Sequence, residues 1–460
     1  MSRLLFGIIA VAGCAIAQTP SDGEIRQILV QRVDEFHQSV GIVVGVIDAH
    51  GRRVVSHGAL EKRDVRPLNG DTVFEIGSIS KVFTSLLLSD MVQRGLVKLD
   101  DPISKYLPPT VEVPRRNGKQ ITLIDLATHT SGLPRLPTNM HPADPTNPYA
   151  DYTVSQLYDF LSSYELTRDI GSKYEYSNLG GGLLGHVLAL RAGMGYEALV
   201  KARIAGPLDM NHTVITLTPE MKVRLAAGHD SNLNTVPNWD LPTLAGAGAL
   251  RSTANDMLTF LAANLGYKKT PLAPAMAAML DVRRPTGTPG LEVALAWHIF
   301  TVPDGIVVWH NGGTGGYRSF IGYDSKAGVG VVVLANTSTA AGVDDIGIHL
   351  LNPKAPLLDA KAFGPRKERK EIAVDSKILD RYVGRYQLTP DLALTVTREG
   401  DQLYAQATGQ GKFELFAESE TEFFLKVTDA QVTFETEATG PAKRLVLHQL
   451  GRDVPAQRVE

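Results

Sequence analysis

Apolar residues recur three and four apart through EIRQILVQRVDEFHQS (24–39), which predicts an amphipathic helix. The period then shortens, and GIVVGVID and GRRVVSHGAL read as two strands. Helical patterns dominate from there to about residue 282, interrupted by the Pro-rich loop LPRLPTNMHPADPTNPY. Strands return as VALAWHIF, GIVVWH, GYRSFIGY and VGVVVLAN. Two early strands, a helical middle and a late set of strands predict one sheet built from both ends of a domain, with helices packed on it. The charged stretch FGPRKERKEIAVD (363–375), with its Gly-Pro break, reads as a connection to another unit. Beyond it, LALTVT, LYAQA, TEFFLKV, QVTFE and RLVLHQL alternate at near ten-residue spacing and predict a small all-β module. The expected division is a domain over 18–355, a linker over 356–372 and an all-β domain over 373–460.

The first 17 residues read differently. Arg3, the apolar run LLFGIIAVAG and then AIA before Gln18 have the layout of an export signal, and they are too short and wrongly flanked for a spanning helix. The expected location is therefore periplasmic or secreted. VAGC around Cys14 also resembles a lipoprotein processing box, so a lipid anchor at Cys14 competes with cleavage after Ala17. Cys14 is the only cysteine of the 460 residues, which excludes an intramolecular disulfide and a thiolate zinc site. A net charge of −3 with both signs dispersed gives no footprint for nucleic acid.

Chemistry enters at EIGSISKVFTSLLLSDMVQRG (75–95). A helix starting near Ser78 places its hydroxyl among free backbone N–H groups, and Lys81 lies one turn on, on the same face. A serine becomes a nucleophile when a neighbouring base takes its proton, and a lysine shielded from water can be that base. The bland alternative is a helix cap beside a solvated lysine. In KYEYSNLGGGLLGHVLAL, Tyr176 and Asn178 enter another helix. A phenol near a lysine ammonium has its pKa pulled down and can shuttle protons, and an Asn can both donate to and accept from an amide; a buried Tyr and a helix cap are the alternative. Gly180, Gly182 and Gly185 spell G-x-G-x-x-G, but the polar DIGSKYEYSN before them lacks the strand that a dinucleotide site requires, so they predict close helix packing. In GIVVWHNGGTGGYRSFIGY a strand ends on His310, and Gly312 and Gly313 allow a substrate to lie against the backbone. There is no G-x-S-x-G elbow and no close His pair to suggest a metal, and no cofactor is expected.

In the order Ser-x-x-Lys, Tyr-x-Asn, His-x-Gly, supported by LATHTSGLP and STANDM, the chain from 22 to about 345 resembles the penicillin-recognising serine hydrolases. That group includes class C β-lactamases, D-alanyl-D-alanine carboxypeptidases and related esterases, and the tail resembles small β-barrel-like modules appended to many members. The resemblance implies an α/β (α+β) domain with helices on an antiparallel sheet. It implies Ser78 as the acyl-accepting nucleophile, Lys81 and Tyr176 as the proton-transfer pair, and Asn178 holding the substrate amide. The N–H groups of Ser78 and Gly313 become the oxyanion hole, and His310 lines the site opposite Tyr176. His129, in THTSGLP, is expected to be structural. The departure is His310 where the β-lactamases carry Lys: an unperturbed His is mostly neutral at pH 7 and attracts a carboxylate weakly. Arg318 is a candidate for the missing charge, and an exposed strand arginine is its other reading. No Glu-x-x-Leu-Asn is present to hold a hydrolytic water as in class A enzymes. Expected partners are small peptides, β-lactams or esters, with peptidoglycan as a source. The alternatives are an esterase or amidase on other acyl groups, and a non-catalytic binder of cell-wall fragments.

Overall fold

Strands from residues 41–58 and 284–335 meet in one antiparallel sheet, in the order Gly51–Gly58, Gly41–Asp48, Val329–Ala335, Arg318–Asp324, Gly305–Gly313, His298–Val302, Leu291–Val293 and Arg284–Pro285. The computed structural model describes residues 19–64, 66–302, 305–358, 369–389, 392–408, 411–426, 430–437, 440–449 and 452–459. The expected export segment with Cys14, and 359–368 of the expected linker, lie outside them. In the join between the two ends, Ile42 faces Ala335 and Val46 faces Val331.

Both faces of the sheet are covered. Val43, Ile47, Val332 and Leu334 join the larger apolar cluster, whereas Ile42, Val44, Val46, Val331 and Val333 join a second cluster on the other side. This two-sided burial is why GIVVGVID and VGVVVLAN are nearly unbroken apolar runs rather than alternating ones. The second cluster is closed by the N-terminal helix Asp22–Val30 and by Asp344–Leu351. The first of these starts on a Ser21/Glu24 capping box, continues as a π turn over Gln31–Glu35, and buries Ile25, Ile28, Leu29 and Val33. On the other face the helix Ser80–Gln93 is buried from Ser80 to Met91. A helix with no exposed side over most of its length belongs at the centre of a core, and this one is packed by Asn178–Ala192, the short Ala245–Gly248 and Ala273–Ala278, with Phe83 stacked on Phe260.

VALAWHIF is not one strand. The chain turns back within it: Val293 pairs with His298, the Ala294 N–H donates to the Trp297 carbonyl at 2.7 Å, and Ala296 has φ +64°. The turn is hidden from pattern reading because its residues are buried, Trp297 packing against Phe260 and Tyr323. Nor does a strand end on His310; Gly305–Gly313 stays paired with Arg318–Asp324 as far as Gly313.

The all-β module is an eight-stranded closed barrel, and the tail runs first to last in meander order before Tyr386 and Gln387 pair with Arg458 and Gln457. The five alternating runs are strands in it, joined by Gly384–Thr389, Lys412–Ala417 and Arg452–Arg458, which the pattern did not single out. Its interior is filled by Tyr382, Tyr386, Phe423 and Phe434, the Tyr382 and Phe434 rings stacking at 4.2 Å.

Candidate active site

A short strand, Val73–Glu75, leads into the 3-10 turn Gly77–Ile79, and the helix proper starts at Ser80. Ser78 therefore sits in the turn before the helix, and it is the one residue of 72–80 that is not buried. The turn is clamped on both sides: the Ile76 N–H donates to the Leu250 carbonyl at 3.0 Å, and Ser319 Oγ donates to the Ile76 carbonyl at 2.9 Å. Gly77 has φ +50°, and a Cβ there would lie 2.6 Å from the Gly313 nitrogen. Only glycine lets the nucleophile turn lie against the Gly313 backbone in this way. Gly312 serves the same contact, since a Cβ on it would meet the Ile76 carbonyl oxygen at 2.1 Å. The open space expected at Gly312 for a substrate is thus filled by the protein's own turn.

Lys81 is 2 % exposed. Its Nζ lies 2.7 Å from the Ala247 carbonyl, 2.9 Å from Asn178 Oδ1 and 3.0 Å from Ser78 Oγ. Burial, and then the charge of Arg135, hold its pKa well below the usual lysine range. The first two partners can only accept, so a neutral amine spends its two protons on them and turns its lone pair to the Ser78 hydroxyl. Gly181 lets the second helix close on the lysine stem, a Cβ there falling 2.9 Å from Lys81 Cε. Gly182 and Gly185 pack in the same way against Leu244 and Gly246, which is the close packing expected of the glycine run.

Asn178 opens the helix Asn178–Ala192. Its Oδ1 accepts from Lys81 and its Nδ2 donates to the Tyr149 hydroxyl at 3.0 Å, so both ends of the amide are engaged. Tyr176 places its ring centroid 4.8 Å from Lys81 Nζ and 4.5 Å from the His129 ring. Its pKa is not pulled down. Burial pushes the phenol up, and its hydrogen bond with Ser78 opposes this only in part, so Tyr176 keeps its proton at neutral pH. The sequence shows a nearby lysine but not that the lysine is itself shielded and disinclined to carry charge.

His310 faces Tyr176 with ring centroids 6.3 Å apart and is 0 % exposed. Its Nδ1 lies 2.5 Å from the Asn311 carbonyl, which can only accept, and burial followed by the neighbouring His298 drives its pKa well below 6.5. Burial, rather than an unperturbed pKa, is thus what keeps His310 neutral. Arg318 is neither free nor an exposed strand arginine, for it donates to the carbonyls of Thr339, Thr314 and Tyr317. His129 is structural in an unforeseen way, accepting from the Ser177 N–H on Nδ1 at 3.2 Å and backing the Tyr176 ring. Pattern reading also missed Ala247, Tyr149 and Arg135. Ala247 acts only through its carbonyl, and the other two lie in or beside the Pro-rich loop, where no periodicity marks them. Among the described residues no group of His, Cys, Asp or Glu could hold a metal ion.

The family model described as Beta-lactamase matches residues 26–352, and a second, described as a domain of unknown function (DUF3471), matches 368–459. The chain is 30% identical over 369 residues to the D-alanyl-D-alanine-carboxypeptidase/endopeptidase AmpH of Escherichia coli K12, covering 75% of this chain and 94% of that one. It is 27% identical over 460 residues to penicillin-binding protein 4* of Bacillus subtilis, covering 94% and 98%. Among solved structures, a class C β-lactamase from Rhodobacter sphaeroides aligns with TM-score 0.60 at 27% identity, covering 69% of this chain and 94% of that one.

Proposed function

This chain belongs to the β-lactamase family of serine hydrolases, and from that premise we propose that it cleaves D-amino acid peptides or β-lactams through an acyl-enzyme on Ser78. The observation that carries the reading is the setting of Lys81 Nζ, a shielded amine with two acceptors and the Ser78 hydroxyl as its three partners. Lys81 takes the Ser78 proton as Oγ attacks the carbonyl carbon. The N–H groups of Ser78 and Gly313 receive the oxyanion, two fixed donors each worth roughly 10² to 10³ in rate. Tyr176, still a phenol, gives its proton to the departing nitrogen and is reprotonated from Lys81. A water then repeats the attack in reverse, releasing the acid and restoring Ser78. The export-signal layout of residues 1–17 supports action outside the cytoplasm, with Cys14 as the site of a lipid anchor in the alternative form. Among the described residues no helix is long and apolar enough to cross a membrane.

One observation favours a second reading, an esterase on uncharged acyl groups: the histidine standing where β-lactamases carry Lys is buried and neutral. Nitrocefin, D-Ala-terminated peptides and p-nitrophenyl esters, ranked by kcat/KM, decide between the two. Ser78→Ala should lose turnover and fluorophosphonate labelling together, by about 10⁴ or more in kcat. A variant keeping a tenth of either would end the assignment of Ser78.

A further inference from the structure

A buried neutral His310 and a fully bonded Arg318 leave the site without the positive charge that a carboxylate-bearing substrate needs. The other cations nearby are engaged as well. Lys81 points inward to its three partners, Arg168 pairs with Glu175 at 2.6 Å, and Arg251 lies 3.3 Å from the Glu75 carboxylate. Arg135 differs from all of them. It is exposed, its guanidinium carbon stands 5.3 Å from the Tyr176 ring centroid, and among the described residues no carboxylate or other hydrogen-bond acceptor meets its side chain.

Its position is nonetheless fixed. The Arg135 carbonyl accepts from the N–H groups of Asn178 and Leu179 at 3.0 and 3.1 Å, and the Pro134 carbonyl before it accepts from Ser177 Oγ at 2.6 Å. The backbone that carries the guanidinium is therefore tied to the same helix start that carries Asn178. The side chain lies on the Tyr176 ring, as arginines do on aromatic faces, with its donor fork unused. A planar fork of N–H groups fits a carboxylate with two parallel hydrogen bonds.

We propose that Arg135 selects substrates that carry a carboxylate, its guanidinium pairing with that group at the mouth of the site beside Tyr176. The proposal rests on the serine hydrolase reading above and names the feature that its substrates share. The carboxylate comes either from the leaving group, as the C-terminus of a peptide, or from the acyl side, as an acidic side chain.

Two substrate pairs separate these sources: a D-Ala-D-Ala peptide against its C-terminal amide, and the p-nitrophenyl monoester of succinate against p-nitrophenyl butyrate. The readout is the charged-over-neutral ratio of kcat/KM, in which any general effect of Arg135 on Lys81 or on folding cancels. The wild type should prefer the charged member of at least one pair. Arg135→Gln should lower that ratio at least fivefold, and Arg135→Lys, which keeps the charge but not the fork, should fall between the two. The pair that responds identifies which side of the scissile bond the carboxylate occupies. A wild type without preference, or ratios that move less than fivefold in Arg135→Gln, overturns the proposal while fluorophosphonate still labels Ser78. Absence of labelling in the wild type overturns both the proposal and the hydrolase reading beneath it.

Discussion

Replacing Tyr176 by Phe removes one hydroxyl and little else, because the ring stays against His129 at 4.5 Å and under Lys81 Nζ at 4.8 Å. The burial that raises the phenol's pKa and lowers that of Lys81 separates their duties. Lys81 is the group able to take a proton and Tyr176 the group able to give one. An amine cannot leave without a proton, whereas p-nitrophenolate can. The substitution should therefore lower kcat/KM for a D-Ala amide bond by about 10² to 10⁴, the usual worth of a general acid. At 1.36 kcal/mol per decade that is roughly 3 to 5 kcal/mol of transition-state stabilisation. The same variant should lose less than about tenfold on a p-nitrophenyl ester, since the attack step keeps its base. Because kcat/KM reports acylation alone, slow deacylation cannot mask the contrast, and titrating active sites with a fluorophosphonate corrects for misfolded protein. Equal losses on both substrates would refute the reasoning, for they would mean that the phenolate is the base in attack. Undiminished rates on both would reduce Tyr176 to packing.

Gly77→Ala should put a Cβ 2.6 Å from the Gly313 nitrogen at φ +50°, parting the two oxyanion donors and slowing acylation by about 10² or more; a fluorophosphonate labelling time course checks it, and a native rate would show that the turn moves freely. Asp344, half-buried beside Asn311, has its pKa raised to about 6, chiefly by desolvation. The unfolded chain gives up this proton near pH 4 and the folded chain only near 6, so its contribution to stability is present below pH 4 and is lost as pH rises through 6. Asp344→Asn should flatten that limb in a melting series between pH 4 and 7, by at most about 3 kcal/mol, and parallel curves would exclude the effect. Removing 369–460 should leave a soluble domain that is still acylated by p-nitrophenyl esters, because the barrel's apolar cluster draws on no residue before Val374; loss of all soluble protein would make the barrel part of the other core.

The relation between Ser78 and Lys81 was legible because it is local: a three-residue offset at a helix start fixes which side chains meet. The two-ended sheet was legible from where apolar runs stop and resume, and the barrel from five of its strands. Ionisation states were not legible. Whether Tyr176 gains or loses acidity depends on how deeply its own phenol is buried, and the low pKa of Lys81 depends on an enclosure completed by Gly181 and the Ala247 carbonyl, a hundred or more residues away in sequence. The arginines were misjudged for the same reason. Arg318, on a strand, reads as exposed yet is absorbed by three carbonyls, whereas Arg135 sits in a loop that pattern alone leaves featureless. VALAWHIF failed because a turn made wholly of buried residues has no polar mark.

The pairing of Ile42 with Ala335 has a temporal meaning. The second strand of the sheet order gains its second neighbour only after nearly the whole domain has been made, and the Ser78 turn, which rests on Leu250, Gly313 and Ser319, likewise waits for contacts of very high sequence separation. A chain emerging from a ribosome or a translocon therefore stays without its reactive centre until the strands Gly305–Gly313 and Arg318–Asp324 arrive, while the barrel that follows pairs each strand with its successor and can close within its own length. The nucleophile is armed late, by the last strands rather than by the segment that carries it.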